Sequence, residues 1–433
     1  MMDSLWLRDA CPCPRCVDPN SGQKTFSTTD LLDQPKVGKA FMNADGSLEV
    51  VFVSDPLSGG KTHESTFSAA EVKSWIDGAT GIRGAFLGPT STIPWNKSMY
   101  ESMVAEGSCR ISYNDWMNNE SEAFWAAFAD LSKTGLIIVT DVPLVENEVE
   151  AIAKQIGPLQ YTFYGWTWDV KSKPKAENVA YTSQFLGLHQ DLMYHTPIPK
   201  IQLLHCLENS CEGGESLFSH GVRAAHELRL TAPEEYQTLV KNATQFAYQK
   251  NGHHYYQRHT TIKESIKGYP STTYWAPPFQ TTFRKRSGAE FATLREWKTA
   301  ATSFQQILES PHNMIEVKLQ PGECVIFDNR RILHGRREFA TKEGSRWLKG
   351  CYIEPSVFYA KETQLGERVK QGSLKAHESL QLAEKEAQMV EETMPEGWVK
   401  AESAPPPRRH TRPRGSPDER VWRPTGWERD ASS

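Results

Sequence analysis

From about Tyr161 to Pro355 the chain alternates short β-prone runs with Gly and Pro turns, the pattern of a jelly roll. Ile201-Gln202-Leu203-Leu204 and Val325-Ile326-Phe327 are two such runs, and the Pro321-Gly322 turn starts the second. Upstream, Leu136-Ile137-Ile138-Val139 reads as a buried strand. Phe124, Ala127, Phe128 and Leu131 fall at helical spacing and predict a helix over 121–131, with Gly135 at its C-cap. A second helix is expected over 149–156 and a third over 291–308, inside an insertion between roughly Leu228 and His312. Near the N-terminus, Leu48 to Val53 reads as a strand. Ser68 with Glu71 three residues on forms a capping box in front of an amphipathic helix. The predicted class is mainly β with flanking helices: a double-stranded β-helix (jelly roll) behind a small N-terminal α+β domain.

Composition divides the chain further. The segment from Gly88 to Pro94, rich in Gly, Pro, Thr and Ser, marks a link. The expected units are residues 1–105, a jelly-roll domain over 106–360, a charged helix over 361–400 and a tail over 401–433. The charged helix, strongest from Leu365 to Met394, could pack on a dimer partner or on its own domain, and a homodimer is the expected assembly; a solvated face is its commonest fate. The Pro/Arg-rich tail cannot bury a core and is expected to be disordered. Lys and Arg number 49 against 53 Asp and Glu, so no nucleic-acid partner is expected. No apolar run approaches bilayer length and no apolar stretch follows a basic start, so neither membrane nor secretory signal is expected. The eight cysteines form no disulfide framework. That reads as reduced thiols in a cytoplasmic protein, mitochondrial placement remaining open.

Two constellations carry chemistry. The first is His189-Gln190-Asp191 with His334 in Asn329-Arg330-Arg331-Ile332-Leu333-His334-Gly335-Arg336. Two imidazoles and a carboxylate are the facial set that holds non-haem Fe(II) and leaves positions open for a co-substrate and O₂. On a strand, alternate residues share a face, so His189 and Asp191 could reach one metal, with His334 arriving on another strand. His-x-Asp by itself is ordinary; the surroundings give it weight. Arg346 follows His334, and Ser216 lies in Gly213-Gly214-Glu215-Ser216. A guanidinium fork and a hydroxyl suit the far carboxylate of 2-oxoglutarate. The second constellation is Cys11-x-Cys13-x-x-Cys16, for which His63 is the best fourth ligand of a closed structural Zn(II) site; the bland alternative is three free thiols on a loop.

Asn178-Val179-Ala180-Tyr181, Leu188 to Asp191, Gln202-Leu203-Leu204-His205-Cys206 and the run Asn329 to Arg336 together resemble the γ-butyrobetaine dioxygenase branch of the Fe(II)/2-oxoglutarate oxygenases, over about Leu5 to Ser356. Against that family the start of this chain is short, as though a first strand were missing. The resemblance implies a jelly roll with iron at its open end, an N-terminal zinc site, and ascorbate as a supporting reductant. It implies hydroxylation coupled to conversion of 2-oxoglutarate into succinate and CO₂.

Iron chemistry leaves the substrate open. Tyr161 to Trp168 is unusually aromatic, and aromatic faces attract a quaternary ammonium. By resemblance the cage falls on Tyr164, Trp168, Tyr181 and Tyr352; the alternative is that these rings are core. Asn178 stands where trimethyllysine hydroxylases tend to carry Asp, and an amide donor suits a carboxylate. The expectation is a small betaine, γ-butyrobetaine converted to L-carnitine. Three departures stand beside it. Thr273 to Pro278 lacks the family's second carboxylate-binding asparagine, Leu192 replaces a tyrosine, and Trp166 replaces a smaller polar residue or a histidine. A lost amide contact costs about 1–3 kcal/mol if the carboxylate is left unpaired. Trimethyllysine, a specialised metabolite, or a catalytically inactive binding protein are therefore the alternatives.

Overall fold

The computed structural model describes residues 3–76, 92–171, 184–265, 268–282, 292–340, 344–370 and 382–395. Contacts divide the chain into two units: Met1–Pro89 with Glu362–Glu367, and Thr90–Lys361 with Arg368–Ser433.

In the first unit, α1 (Ser4–Asp9) is capped by the Asp3 carboxylate. An antiparallel sheet follows in the order β1 (Lys36–Met42), β2 (Leu48–Asp55), β3 (Lys61–Phe67). Alternation along β3 turns His63, Ser65 and Phe67 inward and leaves Thr62, Glu64 and Thr66 exposed. The inward face packs Phe67 with Val50, Phe52 and Leu7, and with Val72 of α2 (Ala69–Ile76). The expected capping box is present: Ser68 N–H and Oγ donate to Glu71 Oε2, and Glu71 N–H donates to Ser68 Oγ.

The second unit opens with α3 (Lys97–Ala105), β4 (Arg110–Ser112), α4 (Tyr113–Trp116) and α5 (Glu122–Thr134). Ser121 caps α5, and Gly135 ends it with φ 74°. Next come β5 (Leu136–Thr140) and α6 (Glu148–Lys154). Two sheets then form the barrel. The larger contains β6 (Thr167–Lys171), β8 (Ile201–Asn209), β15 (Cys324–Asp328) and β17 (Arg346–Ile353), in the order β4-β5-β15-β8-β17-β6. The smaller contains β7 (Leu186–His189), β9 (Ser216–His220), β14 (Ile315–Val317) and β16 (Ile332–Arg336), in the order β14-β9-β16-β7. Every pairing is antiparallel except β4 with β5.

Between β9 and β14 lie α7 (Gly221–Thr231), α8 (Pro233–Lys241), the hairpin β10–β11 (Ala243–Lys250, His253–Thr260), the pair β12–β13 (Ile262–Glu264, Pro270–Thr273) and α9 (Leu294–Leu308). These helices bury Ala224, Leu228, Leu239, Trp297 and Phe304 against Leu188, Leu217 and Leu333 of the smaller sheet. His189, Ser216 and His334 alternate with those leucines along their strands, so packing of one face aims the polar residues at the other.

Of the fates open to the charged C-terminal segment, its end takes packing on its own domain rather than a solvated face. Its described parts are α10 (Pro355–Lys370) and α11 (Leu382–Glu392). Val390 is fully buried. The carbonyl and hydroxyl of Thr393 each accept a 2.9 Å hydrogen bond from the buried Arg223 guanidinium. A cation that is paired to Glu227 inside the fold holds that end down. The tail over 401–433 lies outside the described residues.

Candidate active site

The two sheets close on one cavity. It is lined from the larger sheet by Trp168, Gln202, Leu204 and Arg346, and from the smaller by His189, Ser216, His334 and Arg336, with Asp191 at its edge. His189 and His334 face each other directly across the β7–β16 ladder, their rings 4.3 Å apart. His189 Nε2 lies 3.4 Å from Asp191 Oδ1, and His334 Nε2 lies 3.8 Å from Asp191 Oδ2. One donor atom from each residue falls within 4.8 Å of the others.

The pair does not share a strand, as the alternation argument expected. His189 ends β7, and Asp191 stands in the turn that follows. The reason is Gln190, whose fully buried carboxamide donates to Asn329 O at 2.8 Å and accepts from Trp275 N–H at 2.9 Å, pulling the chain out of the sheet.

The set fits a divalent metal on its own chemistry. His189 Nδ1 lies 2.9 Å from Gly187 O, which fixes the ring with Nε2 as the free lone pair. Burial, with His189 adding to it, lowers the pKa of His334 to about 3, so its imidazole is neutral, the form a metal binds. Burial works to raise the Asp191 pKa, but the two histidines and the Tyr352 hydroxyl outweigh it and keep the carboxylate ionised. Gln202 Nε2 and Tyr352 O–H donate to Asp191 Oδ2 at 2.8 and 2.7 Å.

A second requirement on this wall is an anion. Arg346 is 8% exposed, and its Nε is buried without a hydrogen-bond partner. Gly214 allows the approach, since a Cβ there would sit 3.2 Å from Arg346 Cδ. Arg336 lies beside it; burial first, then the Arg346 charge, lowers its pKa to about 10, and its Nη2 donates to Gln184 O at 2.8 Å. Two buried guanidiniums over the Phe339 ring favour a carboxylate ligand. Ser216, on the facing strand, lines the same space.

The aromatic expectations divide. Trp168 and Tyr352 come together, stacked at 3.9 Å with their planes 20° apart. Gly350, which pairs with Trp168 across β6–β17, makes room, since a Cβ there would lie 2.6 Å from the indole. Tyr164 makes its ring contacts elsewhere, 4.1 Å from Phe163 and 6.5 Å from Tyr248, yet lies near enough to Tyr352 to help raise that phenol's pKa, after burial and Asp191. Asn178 and Tyr181 lie outside the described residues. Sequence reasoning missed Gln202, Gln190 and Asn329 as parts of the site. A lone amide in the apolar run Ile201 to Leu204 was the available signal for Gln202.

In the first unit, His63 Nε2 lies 3.2, 3.7 and 3.5 Å from the sulfurs of Cys11, Cys13 and Cys16. Bonds of about 2.3 Å to sulfur and about 2.0 Å to nitrogen in a tetrahedron put S and N about 3.5 Å apart, so the cluster suits Zn(II). Ser58 Oγ holds His63 Nδ1 at 3.1 Å, and Arg8, paired to Asp55 at 2.7 Å, contacts Cys16 Sγ.

Comparison with known proteins agrees with this geometry. The sequence matches the profile of the taurine catabolism dioxygenase TauD, TfdA family over residues 96–352. It is 33% identical over 369 residues to dioxygenase str8 of Strobilurus tenacellus, covering 82% of each chain. It is 27% identical over 379 residues to human γ-butyrobetaine dioxygenase, covering 86% of this chain and 92% of that one. It is 26% identical over 364 residues to mitochondrial trimethyllysine dioxygenase of Mus musculus, covering 81% of this chain and 79% of that one. A cavity with a triad of two imidazoles and a carboxylate, a buried guanidinium and this profile place the chain in the TauD, TfdA family as a 2-oxoglutarate-dependent dioxygenase.

Proposed function

We propose that His189, Asp191 and His334 hold Fe(II), that Arg346 and Ser216 bind the far carboxylate of 2-oxoglutarate, and that the enzyme hydroxylates a trimethylammonium carboxylate, γ-butyrobetaine being the first candidate. The observation that carries this reading is the convergence of the triad and the unpaired buried Arg346 on one cavity. Iron bound there with 2-oxoglutarate supplies the O₂ chemistry that yields succinate and CO₂ and oxidises a substrate C–H bond. The protein's own part is placement. Arg346 sets the co-substrate's orientation, Gln202 and Tyr352 fix the Asp191 carboxylate, and Leu186, Leu204, Phe218 and Leu348 keep bulk water from the cavity. For the substrate, the cation-attracting faces of Trp168, Tyr164 and Tyr352, with Tyr181 and Asn178, are the proposed receptor.

One observation favours a second reading, a different organic substrate such as a specialised metabolite. Trp168 and Tyr352 cover each other's faces at 3.9 Å, and the Tyr352 hydroxyl is committed to Asp191. No cation fits between rings so spaced. The test is a mass-spectrometric screen with Fe(II), 2-oxoglutarate and ascorbate over γ-butyrobetaine, trimethyllysine and non-betaine acids, following succinate. Succinate coupled to hydroxylated γ-butyrobetaine supports the first reading, and coupling only to a non-betaine supports the second.

Zn(II) on Cys11, Cys13, Cys16 and His63 is the proposed structural metal of the first unit, where ligand binding contributes folding energy. A homodimer in the cytoplasm completes the proposal. Among the described residues no helix is long and apolar enough to cross a membrane.

A further inference from the structure

The turn that presents Asp191 is held from outside. Asn329 is fully buried in the bend between β15 and β16. Its Oδ1 accepts the Asp191 N–H at 2.8 Å, while its Nδ2 donates to Asp191 O at 3.0 Å and to Pro199 O at 3.2 Å. A carboxamide is a side-chain copy of a peptide group, so it meets both backbone groups of Asp191 as a neighbouring strand would. Aspartate at this position would lack the donor, and alanine would lack both partners.

The main chain of Asn329 extends the same grip. Its N–H donates to Lys200 O at 2.8 Å, and its carbonyl accepts Gln190 Nε2 at 2.8 Å. Gln190 also exchanges two hydrogen bonds with the main chain of Trp275. The turn needs such support. Leu192, directly after the carboxylate, has φ 58°, a left-handed conformation that a leucine adopts only when its surroundings impose it. Asn329 lies on the bend leading into β16, the strand that carries His334. One side chain therefore joins the two chain segments that carry all three ligands.

We propose that Asn329, assisted by Gln190, is a positioning residue. It sets the distance between Asp191 and the two imidazoles and thereby the metal affinity of the site. The inference rests on the metal assignment of His189, Asp191 and His334, and goes beyond it in naming what holds that geometry.

The test titrates Co(II) calorimetrically into full-length protein whose cysteine site is already filled with zinc. Wild type is compared with Asn329→Ala, Gln190→Met, His334→Ala and Asn313→Ala. Asn313 is buried in the same unit and bonds Glu227 and Ile307 O, away from the triad, so it controls for general loss of stability. Asn329→Ala should raise the Co(II) Kd about 10–100-fold, the usual loss when a ligand's support is removed. Gln190→Met should raise it several-fold, and it carries the test if Asn329→Ala does not fold. Asn313→Ala should leave the Kd within about 2-fold of wild type while lowering the unfolding midpoint.

Wild-type Co(II) affinity in folded Asn329→Ala, or in Gln190→Met where only that variant folds, overturns the proposal. So does an equal loss in Asn313→Ala. Either result leaves the metal reading standing provided His334→Ala has lost binding. If His334→Ala binds Co(II) as wild type does, the metal assignment itself falls, and the positioning role falls with it.

Discussion

Replacing Arg346 by methionine separates its cost to the fold from its use to the enzyme. Arg346 is 8% exposed, and its Nε makes no hydrogen bond. A buried guanidinium without an anion is a burden on the ligand-free fold. Methionine fills similar length without charge, so ligand-free Arg346→Met should unfold at a temperature equal to or above wild type. With 2-oxoglutarate the order reverses. A charge-assisted bond is worth about 1.5–3 kcal/mol, which raises the co-substrate Kd about 10–150-fold. At 100 times the wild-type Kd, ligand stabilises wild type by about 2.7 kcal/mol. The same concentration stabilises the variant by only about 0.3–1.3 kcal/mol. At about 2–4 °C per kcal/mol for a domain of this size, the shifts are about 5–10 °C against about 1–5 °C. Thermal unfolding under argon with Fe(II), with and without 2-oxoglutarate, reads both effects. Arg346→Lys should fall between, keeping charge and losing the fork. A ligand-free variant that is strongly destabilised and keeps the full 2-oxoglutarate shift would refute the reasoning. The carboxylate site would then move to Arg336.

Further outcomes follow from other parts of the structure. Protein purified without added metal should carry about one zinc per chain, and Cys16→Ser should lose it and become protease-sensitive in residues 3–76. A zinc-free wild type with full protection would disprove the site. His205 is fully buried with neither ring nitrogen bonded, and burial lowers its pKa from 6.5 to about 4. The unfolded chain therefore binds the extra proton between pH 6.5 and 4, and stability should fall as pH falls through that window, by up to about 3 kcal/mol. His205→Leu should be more stable at pH 7 and flatter in acid; an unchanged acid limb in chemical denaturation would count against this. Trp168→Ala should weaken a trimethylammonium substrate by about 0.5–2 kcal/mol, read as KM. Equal wild-type turnover of γ-butyrobetaine and its neutral carbon isostere would remove the cage.

Elements set by neighbours in the chain were legible without coordinates. Ser68 and Glu71 cap a helix, Ser121 and Gly135 bound another, and Leu136 to Thr140 is a buried strand. Each depends on residues a few positions apart, where periodicity and capping chemistry act. The triad and Arg346 were legible as residue types, because metal and carboxylate chemistry admits few side chains.

Their arrangement was not legible, because it depends on register between distant strands. Asp191 leaves the strand through bonds spanning 85 and 139 residues, from Gln190 to Trp275 and to Asn329. Tyr352 reads in sequence as one cage ring among four. In the fold it stacks on Trp168 and donates to the Asp191 carboxylate, because β17 runs beside β6 and Gly350 leaves space for the indole. The charged C-terminal helix reads in sequence as solvated, as packed on a partner or as packed on its own domain, and Arg223, 170 residues earlier, decides among these by holding its end. The sequence by itself determined which groups are available and which local elements they stand on. Tertiary structure decided which atoms meet, since pairings closed over such long loops leave no local pattern.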